Sequence, residues 1–233
     1  MATPQPRTAS TAPDRQLPRP PPQHRLAQDQ RRASEAYRSQ AGRYDQRTES
    51  FRYWRELLVD QLAARSGDTV LDVGCGTGLC LSQLQHKTGT TGAIVGIDAS
   101  EQMLAVAADR VAEHGWDNVR LLAAPIEHAP IDATADAALF CAVHDVMQSP
   151  AALGNVFDHL RPGAAVAAAG GKQPGPWMWP LRGWVAELHA PFIDDFTGFD
   201  RPWRLLAEFV PDLRVYELAF GTGYLALGHA RGR

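Results

Sequence analysis

The sequence predicts an α/β fold: a mostly parallel seven-stranded sheet with helices on both faces and a C-terminal antiparallel hairpin. Three observations point there. Short apolar, β-branched segments alternate with segments of helical period from Val70 to Ala169, the pattern of a parallel sheet with crossover helices. The first of these strands runs straight into three glycines at alternate positions, Gly74, Gly76 and Gly78, and then into a helix. The chain closes on two apolar segments joined by Gly221-Thr222-Gly223, which reads as a hairpin.

Taken in order, residues 1–32 read as a disordered Pro/Arg-rich tail. Seven prolines fall in the first 22 residues, and large apolar side chains are scarce. Six Arg stand against Asp14 and Asp29, a net of +4. The alternative is a Pro-Arg peptide for a partner or an anionic surface. Order is expected from Ala33 to Arg233. Phe51, Trp54, Leu58 and Leu62 recur at helical spacing, an amphipathic stripe. Val70–Val73 is the first strand and Leu79–Gln85 the helix after the glycines. Ala93–Ile97 is the second strand, ended by Asp98. Glu101–Glu113 is a helix with Ser100 as its cap. Val119–Ala123 and Ala137–Cys141 follow as strands. Ser149-Pro150 opens a helix whose buried face is Leu153, Val156, Phe157 and Leu160. Pro162-Gly163 should end it before the fifth strand, Ala164–Ala169. Residues 172–204 break the alternation with Trp177, Trp179, Trp184, Trp203, Phe192, Phe196 and Phe199. Leu213–Phe220 and Tyr224–Ala230 are the hairpin strands.

Composition bounds the function. A chain of 233 residues suits one α/β domain plus a tail. The net charge is −3 overall; with +4 in the tail, the remainder carries −7. An acidic body argues against nucleic-acid partners. Cys75, Cys80 and Cys141 lack metal-ligand spacing and suggest no disulfide framework, so no metal is expected and a cytoplasmic location is. No run approaches the roughly 20 apolar residues of a membrane span, and the N-terminus lacks the apolar core of a secretory signal.

The glycine turn carries the chemistry. Glycine tolerates positive φ and has no side chain, so the turn is sharp and a ligand approaches its backbone closely. With a strand before it and a helix N-terminus after it, the turn makes a nucleotide-type pocket. Asp98 stands twenty residues after Gly78, about where an acid meets ribose hydroxyls. A dinucleotide turn needs G-x-G-x-x-G, and here Leu79 holds the third glycine's place. Cys141-Ala142-Val143-His144 follows the fourth strand, at the sheet edge where open α/β folds bind ligands. His144 is the candidate general base, since histidine accepts a proton near neutral pH; the plainer reading is a structural histidine at a helix start. Cys75 and Cys80 read as packing residues.

Val70-Leu71-Asp72-Val73-Gly74-Cys75-Gly76-Thr77-Gly78 closely resembles the first motif of class I S-adenosylmethionine (SAM) dependent methyltransferases, whose fold is Rossmann-like. Gly96-Ile97-Asp98-Ala99-Ser100, Met103-Leu104 and Leu160-Arg161-Pro162-Gly163 resemble later motifs of that family, in its order. Tyr44-Asp45, and Trp54-Arg55 less closely, resemble the segment that closes over SAM in the quinone-methyltransferase-like branch. The resemblance implies SAM as cofactor in a domain spanning residues 33–233. It places Gly74, Cys75 and Gly76 along the methionine and ribose portions, Asp72 near the amino group and Asp98 on the ribose; Cys141 and Ala142, at the carboxyl end of the sheet, should border the methionine moiety. Ala99 and Met103 would pack on adenine, and Tyr44 would close the site. Where the family often has an acid for the adenine amine, Pro125 stands here, leaving the Ile126 backbone or Glu127 for that edge. The expected reaction is methyl transfer to a small, apolar or aromatic acceptor covered by residues 172–204, with Trp177 and Trp179 foremost because Pro176 and Pro180 bracket them in a loop. The aromatic segment as a plain cap on the core is an equal reading. The alternatives are a lipid or quinone methyltransferase at a membrane surface and a catalytically silent SAM-fold scaffold; a homodimer is compatible with each.

Overall fold

The computed structural model describes residues 44–190 and 195–231. The tail expected at 1–32, the start of the domain at 33–43 and Phe192 lie outside the described residues.

Seven strands form one sheet in the order β3-β2-β1-β4-β5-β7-β6. They are β1 (Thr69–Val73), β2 (Ala93–Asp98), β3 (Val119–Ala123), β4 (Ala135–Cys141), β5 (Leu160–Gly171), β6 (Arg214–Leu218) and β7 (Gly223–His229). β1 to β5 pair parallel. β7 pairs antiparallel with both β5 and β6. Strand order reverses between β1 and β4, and such a switch point opens a crevice at the carboxyl ends of the strands. Asp72 pairs there with Gly96 on one side and Leu139 on the other.

The helices are α1 (Arg52–Gln61), α2 (Leu81–Thr88), α3 (Glu101–His114), α4 (His144–Met147), α5 (Pro150–Asp158), α6 (Trp179–His189) and α7 (Leu206–Phe209). Among the described residues none is long and apolar enough to cross a membrane. One core holds Leu71, Val73, Ile97, Phe140 and Leu153. The other holds Leu58, Val70, Leu81, Leu84, Ile94 and Leu139. Successive strand residues point to opposite faces, so Val70 and Leu71 feed different cores. Burial on both faces makes the parallel strands read as apolar throughout.

Three expectations are corrected. α2 begins at Leu81 rather than Leu79, because residues 77–80 continue the turn. Pro162-Gly163 lies within β5, not before it; Ala135 pairs with Leu160 and the register then shifts to Ala137↔Ala165, an irregularity that accommodates both residues. Trp179-Pro180 opens α6 instead of lying in a loop, since proline suits a first helical turn, where its missing N–H is no loss.

Candidate active site

The site is built around the turn after β1. Gly74, Gly76 and Gly78 all have positive φ. At Gly74 a Cβ would lie 2.4 Å from Val143 Cγ1, whereas at Gly76 it would meet nothing within 4 Å. Glycine therefore keeps the β4 loop close at Gly74 and leaves open space at Gly76. Cys75 N donates to Ile97 O at 3.0 Å, tying the turn to β2. Asp98 receives two backbone donors: Gly76 N at 2.9 Å and Ser100 N at 2.8 Å. Its side chain thus joins the glycine turn to the start of α3. Ser100 caps α3 by accepting from Met103 N.

Beneath the turn lies Asp72, 1% exposed. Its Oδ2 has no hydrogen-bond partner. Burial, and then the charge of Asp98, push its carboxyl up to about 7. A buried carboxylate oxygen without a donor is costly, and a ligand cation would relieve it. Cys75 packs against Gly96, where a Cβ would come within 3.0 Å of its Sγ, and burial pushes its thiol well up. Cys80 hydrogen-bonds to Cys141, and its thiol is also raised. Neither is a ready thiolate.

The chain before α1 is latched onto this turn. Residues 44–48 are helical. Asp45 accepts from Thr77 Oγ1 at 2.6 Å and pairs with Arg110 Nη2 at 3.1 Å. Arg110 Nε also donates to Thr77 O at 3.2 Å. Thr48 Oγ1 donates to Tyr44 O, and Arg55 Nη1 donates to Thr48 O at 2.7 Å. The Tyr44 hydroxyl is pushed up to about 12, chiefly by burial, so it stays protonated. Thr77 and Arg110 escape sequence reasoning: their partner is 32 and 65 positions away, beyond any local pattern.

A cavity of about 490 Å³ runs from the turn to the aromatic segment. Its walls include Tyr44, Asp72, Gly74, Cys75, Gly76, Cys141 and His144 from the sequence-derived set. Asp98 joins it only through the Gly76 bond; Ala99, Met103 and Ile126 are not among its walls. Ile126 is buried, with its carbonyl taken by Asn155 Nδ2 at 2.7 Å. The far wall is apolar and aromatic: Phe51, Trp54, Trp184, Val185, Leu188 and Phe199. Trp177 and Trp179 are not walls; they stand 70% and 73% exposed, contrary to expectation.

Two histidines flank Phe199, with ring centroids 5.2 Å (His144) and 5.3 Å (His189) from it. His144 Nε2 lies 3.1 Å from Thr197 O, which can only accept, so that nitrogen carries the proton; Nδ1 is buried without a partner. His189 Nδ1 likewise donates to Val185 O at 2.9 Å. Its Nε2 occupies the space of a missing side chain at Gly171, 2.0 Å from a Cβ built there. Burial lowers the His189 pKa, against the opposing effect of its bond to the Val185 carbonyl. Among the described residues no cluster of His, Cys, Asp and Glu is arranged to hold a metal ion.

Residues 64–174 match a family model described as a methyltransferase domain. The chain is 28% identical over 166 residues to a 2-phytyl-1,4-naphtoquinone methyltransferase of Trichormus variabilis, covering 69% of this chain and 63% of that protein. It is 28% identical over 180 residues to the chloroplastic 2-phytyl-1,4-beta-naphthoquinone methyltransferase of Arabidopsis thaliana, covering 75% and 62%. The chain therefore spans somewhat under two thirds of these relatives. Its fold is similar to that of a SAM-dependent methyltransferase from Aquifex aeolicus, with TM-score 0.60, 21% identity, and coverage of 82% and 97%. Sheet order, glycine turn and sequence match agree: residues 64–174 match a methyltransferase domain, and the chain has the fold of SAM-dependent methyltransferases.

Proposed function

We propose that the chain transfers a methyl group from SAM to a small, apolar or aromatic acceptor. One observation carries the reading: a single cavity joins the glycine turn and Asp72 to a chamber walled by Trp54, Trp184 and Phe199. A donor site and an apolar acceptor site that share one water-poor space are what a methyl displacement needs.

The residues present fit SAM, whose sulfonium supplies an activated methyl group. The unpartnered Asp72 Oδ2 suits the methionine ammonium. Open space at Gly76 lets the ligand reach the backbone. Asp98, already fixed by two N–H donors, keeps lone pairs for the ribose hydroxyls. Ala99, Met103 and the Ile126 region would pack on adenine, Cys75 and Cys141 on the methionine chain, and Tyr44 would close the front. His144 would take a proton from the acceptor at Nδ1. Residues 33–233 would form the domain, with 172–204 covering the acceptor through Trp184 and Phe199.

The relatives' names point to an aromatic ring bearing an isoprenoid chain, and the aromatic wall supports such an acceptor here. The acidic body supports a non-nucleic-acid substrate, and three free cysteines support a cytoplasmic location. Titration calorimetry with SAM and with NAD tests the donor site. We expect saturable binding of SAM alone; binding of NAD without SAM would overturn the reading.

A further inference from the structure

α6 contributes four residues to the cavity wall: Trp184, Val185, Leu188 and His189. Spacings of three and four put them on one face of the helix. Val185 and Leu188 offer carbon surface, and Trp184 an N–H that only donates. His189 is the one side chain of this face with a nitrogen that can accept a hydrogen bond. Its Nδ1 donates to Val185 O at 2.9 Å. A carbonyl only accepts, so the proton sits on Nδ1 and the lone pair on Nε2. Burial lowers the ring's pKa, so it is neutral near pH 7 and keeps that lone pair. Among the described residues no donor reaches Nε2.

Packing fixes where this nitrogen stands. The ring centroid lies 5.3 Å from that of Phe199 and 6.4 Å from that of Phe51. Nε2 fits against Gly171, where any side chain would begin 2.0 Å from it. Gly171 ends β5 and is itself a cavity wall. The lone pair is thus held at the carboxyl edge of the sheet, beside the Phe199 ring that His144 also meets. In a wall of aromatic and aliphatic carbon, such a nitrogen is costly against an apolar ligand and favourable against a donor.

We propose that His189 is a specificity residue of the acceptor chamber, its Nε2 taking a hydrogen bond from an O–H or N–H group on an aromatic acceptor. The assignment rests on the methyl-transfer reading above and narrows it. The preferred acceptor is an apolar ring that carries a hydrogen-bond donor. A ring with that group capped leaves Nε2 unpaired and binds more weakly, although it is the more apolar molecule. His189 selects and orients; the proton-accepting role at Nδ1 stays with His144.

Equilibrium dialysis of the full chain tests this with 1-naphthol and its methyl ether as probes. S-adenosylhomocysteine fills the donor site so that no transfer occurs. We expect the parent to hold 1-naphthol about tenfold more tightly than the ether, the scale of one hydrogen bond whose loss leaves an acceptor unpaired. His189→Phe should bring that ratio close to one. His189→Gln, whose amide oxygen can accept, should restore part of it. Gly171→Ala puts a methyl group where Nε2 lies and should lower the ratio as well. SAM affinity by calorimetry should stay within a few-fold in all three variants. A parent that binds both probes equally, or a His189→Phe variant that keeps the parent's ratio, overturns the assignment and leaves the chamber in place. Lost SAM binding in a folded His189→Phe variant overturns it too, since the nitrogen would then serve the donor site. A parent that binds S-adenosylhomocysteine but neither probe would overturn the apolar acceptor chamber, and this assignment with it.

Discussion

Replacing Asp72 with asparagine should stabilise the SAM-free protein above pH 7 and weaken SAM. The carboxyl is fully buried and pushed from 3.8 up to about 7, first by burial and then by Asp98. A raised pKa means that the folded state holds a proton that the unfolded chain has lost. The contribution is therefore complete below about pH 4 and disappears as pH rises through about 7. Three pKa units correspond to about 4 kcal/mol of penalty on the ionised form. Asparagine removes the charge but keeps a buried amide, which costs about 1–3 kcal/mol if unpaired. The net gain at pH 8 should then be about 1–3 kcal/mol, with little change at pH 5. SAM's ammonium would select the ionised carboxylate, so parent affinity should rise about tenfold from pH 6 to pH 8 with proton release on binding. In the variant that pH dependence should vanish and affinity should fall by about 1.5–3 kcal/mol. Denaturant titrations at both pH values, with calorimetry in buffers of different ionisation enthalpy, read all of these quantities. A parent whose stability is flat between pH 5 and pH 8, or a variant less stable than the parent at pH 8, would refute the reasoning.

Other perturbations address the remaining parts of the site. Asp98→Ala removes the acceptor of Gly76 N and Ser100 N; SAM affinity by calorimetry should fall by about 1.5–3 kcal/mol. Arg110→Ala frees Asp45 and the Thr77 carbonyl. For this pair, whose side chains are 29% and 26% exposed, we expect about 1 kcal/mol lost in denaturant titration, with weaker SAM binding as the front segment loosens. Deleting residues 1–32 should leave the melting temperature nearly unchanged, because a proline-rich, apolar-poor segment buries little; a fall of many degrees in a thermal scan would contradict this.

Much of the sheet was legible because β1, β2 and β4 are buried on both faces and read as apolar runs. The glycine turn was legible because only glycine serves at Gly74, where a Cβ would strike Val143. Reasoning from local breakers failed where tertiary context overrode them. Pro162-Gly163 reads as a stop yet is absorbed by a register shift in β5, and Pro180 reads as a loop residue yet opens α6. The bracketing prolines also misdirected the choice of wall residues: Trp184, one helical turn and more along α6, meets the cavity, while Trp177 and Trp179 face water. The Asp45, Thr77 and Arg110 latch joins three distant segments and leaves no periodic trace.

The most direct measurement incubates the protein with methyl-labelled SAM and a cell extract, then partitions the products. We expect label in a small, organic-soluble molecule, with transfer reduced in Asp98→Ala at SAM concentrations that just saturate the parent and recovering as SAM is raised. Label confined to protein or nucleic acid, or no transfer by a chain that binds SAM, would contradict a cavity built to bring SAM and an apolar acceptor together.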